Sequence, residues 1–224
     1  MNARMTAIRF DTIIFDLDGT LVDTGPDLTA ALNHVLSQFG RQTVNERAVR
    51  DMVGHGARKL LERGLAATGE CTEALVERGM PIFLDFYAAN ICVHSAPYAG
   101  IEAAMDALAA QGKKLAICTN KPEALTHKLL AALGWQNRFA AIVGGDSLPV
   151  RKPDPAPLRE ALARAGGADP AFVGDSITDT DTARAARVPS IAVSFGFSDR
   201  PPSELGADML IHHFDELLPA LARL

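Results

Sequence analysis

The sequence lacks the features that would place the chain in a membrane or on a nucleic acid. No uncharged apolar stretch reaches the ~18 residues of a membrane helix, and residues 1–10 carry no hydrophobic region typical of a signal peptide. Lysine and arginine form no dense run, and the formal net charge is -5, which argues against a nucleic-acid or anionic-membrane surface. We therefore expect a soluble cytoplasmic protein whose partner is a small molecule.

Cysteine is equally scarce. Cys71, Cys92 and Cys118 are odd in number, no two have the C-x-x-C spacing, and Cys118 stands inside an apolar run. Neither a disulfide framework nor a zinc site is indicated. We expect reduced cysteines that serve mostly in packing.

What the sequence does have is enough apolar residues for a sizeable core. Its 224 residues are 48% hydrophobic, which predicts one folded domain, or one domain with an insertion. From Pro97 onward, short apolar strands alternate with helices. The predicted strands there are Lys114–Cys118, 140–143, 171–173, Ser190–Val193 and Met209–Ile211. The predicted helices are Ile101–Ala110, 122–133, a helix after Pro155, 179–187 and 214–224. Such βα repeats with short connections predict a parallel sheet covered by helices on both faces.

Residues 27–90 have a different sequence pattern, in which apolar residues recur at helical spacing only. A first helix has Pro26 in its first turn and stops at Gly40, and three more are predicted at 46–53, 57–67 and 72–89. This block is an insertion whose joints lie near 21–25 and 94–100, where Gly and Pro cluster. The predicted fold class is α/β, with a doubly wound, Rossmann-like parallel sheet. Its core would comprise residues 1–21 and 97–224, and an all-helical cap would comprise residues 22–96.

The acids of the first strand stand where chemistry is expected. Ile13, Ile14 and Phe15 form a short apolar run, and Asp16 and Asp18 follow at once. An open parallel sheet binds ligands at the carboxyl ends of its strands, so these acids are candidates for a site. The alternative is an acidic turn that leaves an edge strand.

Three more polar clusters follow strands in the same way: Thr119-Asn120, Lys152-Pro153 and Gly174-Asp-Ser-Ile-Thr-Asp179. Four carboxylates, one lysine and one hydroxyl would then converge on one crevice. Two unit charges ~4 Å apart repel by roughly 4 kcal/mol at an effective dielectric of about 20, so the acids need cations. Lys152 and a divalent metal ion would supply the positive charge. All-oxygen ligation suits a hard ion such as Mg2+.

A phosphate ester in this crevice would give each residue a task. Metal and lysine would offset the charge of the phosphoryl oxygens, and Asp16 could attack phosphorus to form an aspartyl phosphate. Asp18 could protonate the departing alkoxide and later take a proton from the attacking water. Gly19 would let the backbone approach the phosphate closely.

The four clusters, in this order and with a helical insert after the first, resemble the motifs of the haloacid dehalogenase superfamily of phosphohydrolases. Within that superfamily the chain is similar to the phosphoglycolate phosphatases with a helical cap. The motifs are Asp16-Leu-Asp-Gly-Thr20, Thr119-Asn120, Lys152-Pro153 and Gly174-Asp-Ser-x-x-Asp179, supported by Thr119-Asn-Lys121, Lys152-Pro-Asp-Pro155 and Ser194-Phe-Gly-Phe197. The core would then be of the haloacid dehalogenase type.

The resemblance implies a role for each core residue. Asp16 is the nucleophile and Asp18 the acid/base. Thr119 and Lys152, with Asn120 beside them, hold the phosphoryl group.

It also implies a magnesium site. Asp175 completes this site together with Asp16 and the backbone carbonyl of Asp18. Asp179 supports the metal site, either directly or through water. The alternative for Asp179 is an acid at a helix N-terminus that interacts with the helix dipole.

Substrate choice is predicted to depend on the cap, because a cap can close over the crevice. The stretch Gly54-His55-Gly56-Ala57-Arg58-Lys59 resembles the family's cap loop that faces the site. We predict that Gly54, His55 and Arg58 set specificity, with His55 or Arg58 binding a carboxylate on the leaving group, since the Arg fork suits carboxylates. The alternative is a solvated helix start. Surface or packing roles are expected for His34, His94, His127, Trp135, His212 and His213.

The implied activity is magnesium-dependent hydrolysis of a small phosphate monoester, with 2-phosphoglycolate, split into glycolate and phosphate, as the first substrate to test. A sugar-phosphate phosphatase and a phosphomutase are rivals within the superfamily. A module that uses an aspartyl phosphate as a signal is the rival from another class. Dehalogenase and phosphonate hydrolase activities are disfavoured, because Asp18 supplies an acid/base that those branches do not need. A monomer and a homodimer are equally compatible with the sequence.

Overall fold

The structure, a computed structural model, describes residues 7–198 and 200–224. Residues 1–6, which belong to the predicted core segment 1–21 and to the stretch 1–10, lie outside the described residues. Of the described helices, none has both the length and the apolar character that a bilayer crossing requires.

Apart from two short strands that the sequence patterns do not indicate, the described strands and helices follow one another in the predicted order. The strands are β1 (Thr12–Phe15), β2 (Val22–Asp23), β3 (Ala96–Pro97), β4 (Lys114–Cys118), β5 (Ala141–Val143), β6 (Pro170–Gly174), β7 (Ser190–Val193) and β8 (Met209–Ile211). The helices are α1 (Gly25–Gln38), α2 (Glu46–Arg50), α3 (Ala57–Thr68), α4 (Glu73–Ala89), α5 (Ile101–Ala110), α6 (Glu123–Ala132), α7 (Ala156–Ala165), α8 (Ile177–Ala186) and α9 (Leu217–Leu221).

Six of the strands form one sheet in the order β5-β4-β1-β6-β7-β8, and every pair in it is parallel. The strand β1 lies between β4 and β6, near the middle of the sheet. Its side chains alternate, because successive residues of a strand point to opposite faces. Ile13 and Phe15 join one buried apolar cluster and Ile14 joins the other. The predicted parallel sheet with helices on both faces is confirmed.

The helices α1–α4, which we call the helical cap, are inserted between β2 and β3. Within the cap, α1 packs against α2, α3 and α4. The sequence patterns did not indicate β2 and β3, which pair antiparallel, Val22 with Pro97 and Asp23 with Ala96. Two-residue strands are too short to show a periodicity. The boundaries of the predicted cap, residues 22–96, stay a prediction.

A buried carboxylate fixes the return from the cap to the core. Asp27, at the start of α1, accepts hydrogen bonds from the backbone N–H groups of Val93, His94 and Ser95 and from the Ser95 hydroxyl. These four donors compensate the charge of a side chain that is buried. The chain that enters β3 is thereby tied to the first turn of α1.

Three predicted helices differ from the structure by more than one residue at an end. The helix α8 begins at Ile177, two residues before the predicted start, because the Asp179 carboxylate accepts hydrogen bonds from the N-cap residue Ser176. The helix α2 ends at Arg50, three residues early. The predicted closing helix divides into a 3-10 turn, Phe214–Glu216, and α9.

The predictions for the cysteines, Trp135 and His34 are only partly confirmed. All three cysteines are free, and Cys118 is buried in the sheet, but Cys71 is exposed, so the packing role was wrong for that residue. Trp135 is buried, as expected for packing. His34 lies at the edge of the cap core and stacks on Phe86 with ring centroids 4.2 Å apart.

Candidate active site

The sheet brings the predicted core residues to one edge. Phe15 of β1 lies in register with Ile117 of β4 and Val173 of β6, so the three strands end level with one another. Asp16, Thr119 and Asp175 each directly follow the last residue of their strand. All three side chains are buried, and they share the crevice at the carboxyl edge.

Three carboxylates form the centre of this crevice. One ligand oxygen from each of Asp16, Asp175 and Asp179 lies within 4.8 Å of the others, and all three residues are buried. Burial, together with the charge of Asp179, raises the pKa of Asp16 to about 6 against the opposing attraction of Lys152. Burial, together with the charges of Asp179 and Asp16, raises the pKa of Asp175 well above its ordinary value. The cluster therefore carries more negative charge than its surroundings stabilise.

Lys152 partly neutralises the negative charge of this cluster. Its side chain is 2% exposed, and its Nζ lies 2.9 Å from Asp16 Oδ1 and 2.6 Å from Asp179 Oδ1. Burial alone would lower the pKa of Lys152, but the attraction of Asp16 and Asp179 outweighs it and raises the pKa. One ammonium group thus pairs with two of the three carboxylates.

Asp175 and Asp179 are held rigidly by their neighbours. The Thr20 hydroxyl donates to Asp175 Oδ1 at 2.8 Å, and the Phe197 N–H donates to Oδ2. Asp179 Oδ2 accepts from the Ser176 N–H at 3.1 Å and from the Ser176 hydroxyl at 2.6 Å. Asp179 therefore lies at a helix N-terminus and faces the acid cluster at the same time, so both readings of this residue describe part of its environment.

The crevice suits a divalent cation chemically. Asp16 Oδ1 is buried and, among the described residues, has no donor in hydrogen-bond geometry, although Lys152 lies within ion-pair distance. Three clustered carboxylates offer oxygen ligands only, which is the donor set of a hard ion such as Mg2+ rather than of Zn2+. An added positive charge would also offset the repulsion that raises the pKa of Asp16 and Asp175.

Asp18 lies on the other side of the crevice, where cap and core meet. Its Oδ1 accepts from the Thr24 hydroxyl at 2.8 Å and from Lys121 Nζ at 2.9 Å. Lys121 Nζ also lies 2.5 Å from the Tyr87 hydroxyl of α4 and 4.4 Å from the centroid of the Tyr87 ring. Asp18, with a side chain 14% exposed, is therefore oriented by Thr24 and Lys121, and Tyr87 in turn holds Lys121.

Sequence reasoning did not assign Thr24, Lys121 or Tyr87 to the site. Lys121 belongs to a supporting motif, and a lysine directly after a Thr-Asn pair at a strand end is a signal that could have indicated it. Tyr87 has no such signal, because it shares the apolar spacing of α4 with Phe83.

Thr119 and Asn120 lie where predicted, but the side chain of Asn120 is engaged. Its Nδ2 donates to the carbonyls of Gly54 at 3.2 Å and of Lys152 at 3.1 Å, while Oδ1 is buried without a partner among the described residues. An amide has two N–H donors, and its oxygen only accepts. The Asn120 side chain therefore has no donor left for a phosphate, and it links the cap to the Lys152 loop. The predicted role of Asn120 in phosphate binding stays a prediction.

The predicted cap loop contacts the core through its backbone. Gly54 and Gly56 have φ values of 104° and 86°, and a Cβ on Gly56 would lie 3.3 Å from the Asn120 carbonyl oxygen. Glycine suits both positions because L side chains rarely adopt such backbone angles. His55 Nδ1 lies 3.4 Å from the Thr178 hydroxyl, at the start of α8.

Arg58 is turned to other cap residues. Its guanidinium donates to Glu77 at 2.7 Å and to Glu73 at 2.5 Å, and it lies 3.4 Å from Glu62. Arg58 does not line the cleft between the cap and the strand ends. This geometry is against the predicted role of Arg58 in binding a substrate carboxylate, because three cap carboxylates already surround its charge.

A cleft lies between the cap and the strand ends, with an empty volume of about 490 Å³, open solvent at its mouth included. Its polar floor is Asp16, Asp18, Thr119, Asn120 and Lys121, and its wall is Leu28, Val53, Gly54, Gly56, Ala57, Leu60, Phe83, Tyr87, Pro122 and Leu125. The wall is mostly apolar, and the cap supplies most of it. A small ligand would therefore present its charged end to the floor.

A doubly wound sheet with buried acids and a lysine at its carboxyl edge, under a helical cap, defines a class of hydrolases. The sequence profile of the haloacid dehalogenase-like hydrolases matches residues 13–193. The chain belongs to this family, and it is a phosphoric monoester hydrolase of the phosphoglycolate phosphatase-like kind.

Relatives support this placement over most of the chain. A phosphoglycolate phosphatase of Mesorhizobium japonicum is 47% identical over 213 residues, which are 94% of each chain. One of Caulobacter vibrioides is 45% identical over 91% of this chain and 87% of its own. A crystal structure described as a predicted phosphoglycolate phosphatase, from Haemophilus somnus, superposes with a TM-score of 0.89 at 32% identity, over 94% of this chain and 97% of that one.

Proposed function

We propose that the protein hydrolyses 2-phosphoglycolate to glycolate and phosphate in a magnesium-dependent reaction, with an aspartyl phosphate on Asp16 as the intermediate. The observation that carries the proposal is the buried contact of Asp16 with Lys152 beside Asp175 and Asp179. Relatives named phosphoglycolate phosphatase, 47% and 45% identical, support the choice of substrate.

The metal site is proposed for the side chains of Asp16, Asp175 and Asp179 and for the backbone carbonyl of Asp18. When bound, Mg2+ would neutralise part of the charge of the carboxylates and of the phosphoryl oxygens. Lys152 and the Thr119 hydroxyl would donate hydrogen bonds to the same phosphoryl oxygens.

In the first step a carboxylate oxygen of Asp16 attacks phosphorus, and the bond from phosphorus to the ester oxygen breaks. Asp18, as a carboxylic acid, gives its proton to that oxygen, and glycolate leaves. Thr24 and Lys121 hold the Asp18 carboxyl at 2.8 and 2.9 Å while this occurs.

In the second step Asp18, now a carboxylate, takes a proton from a water molecule that attacks the phosphorus of the intermediate. The bond from phosphorus to Asp16 breaks, phosphate is released, and both aspartates return to their first state. Asp18 thus serves as acid and then as base, and Asp16 is regenerated without any other co-substrate.

The cleft wall favours a small leaving group over a sugar. Leu28, Val53, Leu60 and Phe83 of the cap offer no side-chain polar group to a row of hydroxyls. A hydroxyl that loses water without gaining a partner costs about 1–3 kcal/mol. Sugar phosphates are therefore the second candidate class.

Steady-state release of phosphate from 2-phosphoglycolate with Mg2+ tests the proposal. We expect turnover in the wild type, none in Asp16→Asn, and wild-type turnover in the matched control Asp85→Asn, whose carboxylate lies on the surface of α4. Higher kcat/KM on sugar phosphates would favour the rival phosphatase, and isomerised sugar phosphate would favour the mutase. A stable phosphoprotein without turnover would favour the signalling module.

A further inference from the structure

Lys121 is the only cationic side chain that lines the cleft, as far as the described residues show. Only 5% of Lys121 is exposed. Among the described residues its Nζ has two polar partners, Asp18 and the Tyr87 hydroxyl. Three acceptor atoms, Asp18 Oδ1 at 2.9 Å, Asp18 Oδ2 at 3.2 Å and the Tyr87 hydroxyl at 2.5 Å, match the three N–H donors of this ammonium group. Because two of these acceptors belong to one carboxylate, a contact with a single Asp18 oxygen would leave one N–H of Lys121 for a further acceptor.

The position of Lys121 relative to Asp18 sets what that further acceptor can be. A general acid must lie about 2.6–3.2 Å from the oxygen that it protonates, and Lys121 Nζ lies 2.9 Å from Asp18 Oδ1. A group attached close to the ester oxygen therefore comes within reach of Nζ. In 2-phosphoglycolate the carboxylate carbon is two bonds from that oxygen.

The burial of Lys121 favours a negatively charged acceptor. Among the described residues, the Asp18 carboxylate is the charged group within hydrogen-bond distance of Lys121 Nζ, and the lysine is almost fully buried. A buried cation is stabilised by charged hydrogen-bond partners. A carboxylate on the leaving group would supply a second such partner, whereas a neutral leaving group would not.

We propose that Lys121 binds the carboxylate of the leaving group and so selects phosphate esters that carry a carboxylate on the carbon next to the ester oxygen. This inference rests on the proposed function, because it assumes that Asp18 protonates the leaving group. Specificity then comes from a core lysine that α4 holds through Tyr87, whereas Arg58 is paired within the cap. The apolar wall limits the size of the leaving group.

The test compares kcat/KM for 2-phosphoglycolate and for ethyl phosphate, which has a methyl group in place of the carboxylate. We expect the wild type to prefer 2-phosphoglycolate. In Lys121→Met the ratio of the two values falls by about 30- to 100-fold, the size typical for loss of a charged partner. Lys121→Arg keeps part of the preference, and Lys128→Met, which removes an exposed lysine of α6, keeps all of it.

The outcomes separate this inference from the proposed function. If the wild type shows no preference for 2-phosphoglycolate, the proposed substrate is wrong and the inference fails with it. If the wild type prefers 2-phosphoglycolate and Lys121→Met loses activity equally on both esters, the inference alone is overturned, because Lys121 would then only orient Asp18.

A binding measurement covers the case in which Lys121→Met is inactive. In the Asp16→Asn background, with Mg2+ present, calorimetry should show that Lys121→Met weakens binding of 2-phosphoglycolate by at least about 10-fold and leaves binding of ethyl phosphate within about 2-fold. Equal weakening of both ligands would overturn the inference. Melting curves of each variant identify a loss of folding.

Discussion

Lys152 Nζ lies 2.6 Å from Asp179 Oδ1, and the other oxygen of the same carboxylate caps α8. One side chain therefore fixes a helix start and holds the lysine that faces Asp16. The two tasks can be separated, because only the contact with the acid cluster depends on the charge of Asp179.

Asp179→Asn keeps an oxygen acceptor for the helix cap but removes the charge. We expect the Mg2+ concentration for half-maximal activity to rise about 10- to 100-fold, the usual effect of losing a group that supports metal ligands. Calorimetric Mg2+ binding should weaken in parallel. Asp181→Asn, an exposed acid in the same helix paired with Arg184, is the control. An unchanged Mg2+ requirement with a lower melting temperature would make Asp179 a helix cap only.

Asp18→Asn should separate the two steps of the reaction. p-Nitrophenyl phosphate has a leaving group that departs without protonation, so the first step needs Asp18 little, whereas the attack of water still needs a base. We expect a burst of about one equivalent of nitrophenol per protein molecule, followed by slow turnover and a phosphorylated protein detectable by mass. Asp16→Asn should give no burst. Steady release without a burst in Asp18→Asn would contradict the assigned role.

Gly174 is predicted to tolerate no side chain. A Cβ at this position would collide with the Asp179 side chain and move it away from Lys152. Gly174→Ala should therefore lower kcat/KM at least about 100-fold, since small displacements of positioning groups are costly. Gly112→Ala is the control, because its Cβ would meet nothing within 4 Å although its φ is 71°. That variant should lose about 1 kcal/mol of stability and retain wild-type kinetics. Similar kinetics for both variants would contradict the prediction.

The metal-free protein should become less stable as pH rises. The pKa of Asp16 is raised from 3.8 to about 6 in the folded protein, so between these values the folded state binds more protons than the unfolded state. Stability from this group is then lost with increasing pH, by at most about 3 kcal/mol. Urea unfolding in EDTA at pH 4 and pH 7 should show this loss in the wild type relative to Asp16→Asn, and Mg2+ should reverse it. A pH-independent difference between the two proteins would contradict the assignment.

The sheet and its helices were largely predictable because their signals are local. Lys114–Cys118, Ser190–Val193 and Met209–Ile211 were predicted with the observed bounds, since each is a short apolar run between turn residues. The short ribbon of β2 and β3 was missed, because it depends on pairing between segments more than seventy residues apart.

The sequence by itself determined the chemistry of the core. Asp16 and Asp18 follow the first strand, and further polar clusters follow later strands. Because parallel strands end at one edge of a sheet, these side chains are expected to meet in one site. The order of these motifs also indicated the family.

Only the tertiary structure decided how the cap meets that edge. It directs Arg58 to Glu73 and Glu77, uses the Asn120 amide on backbone carbonyls, and brings Tyr87 of α4 to Lys121. Such contacts join residues far apart in the chain, and the side-chain direction that creates them depends on helix packing. No spacing rule in the sequence records that direction.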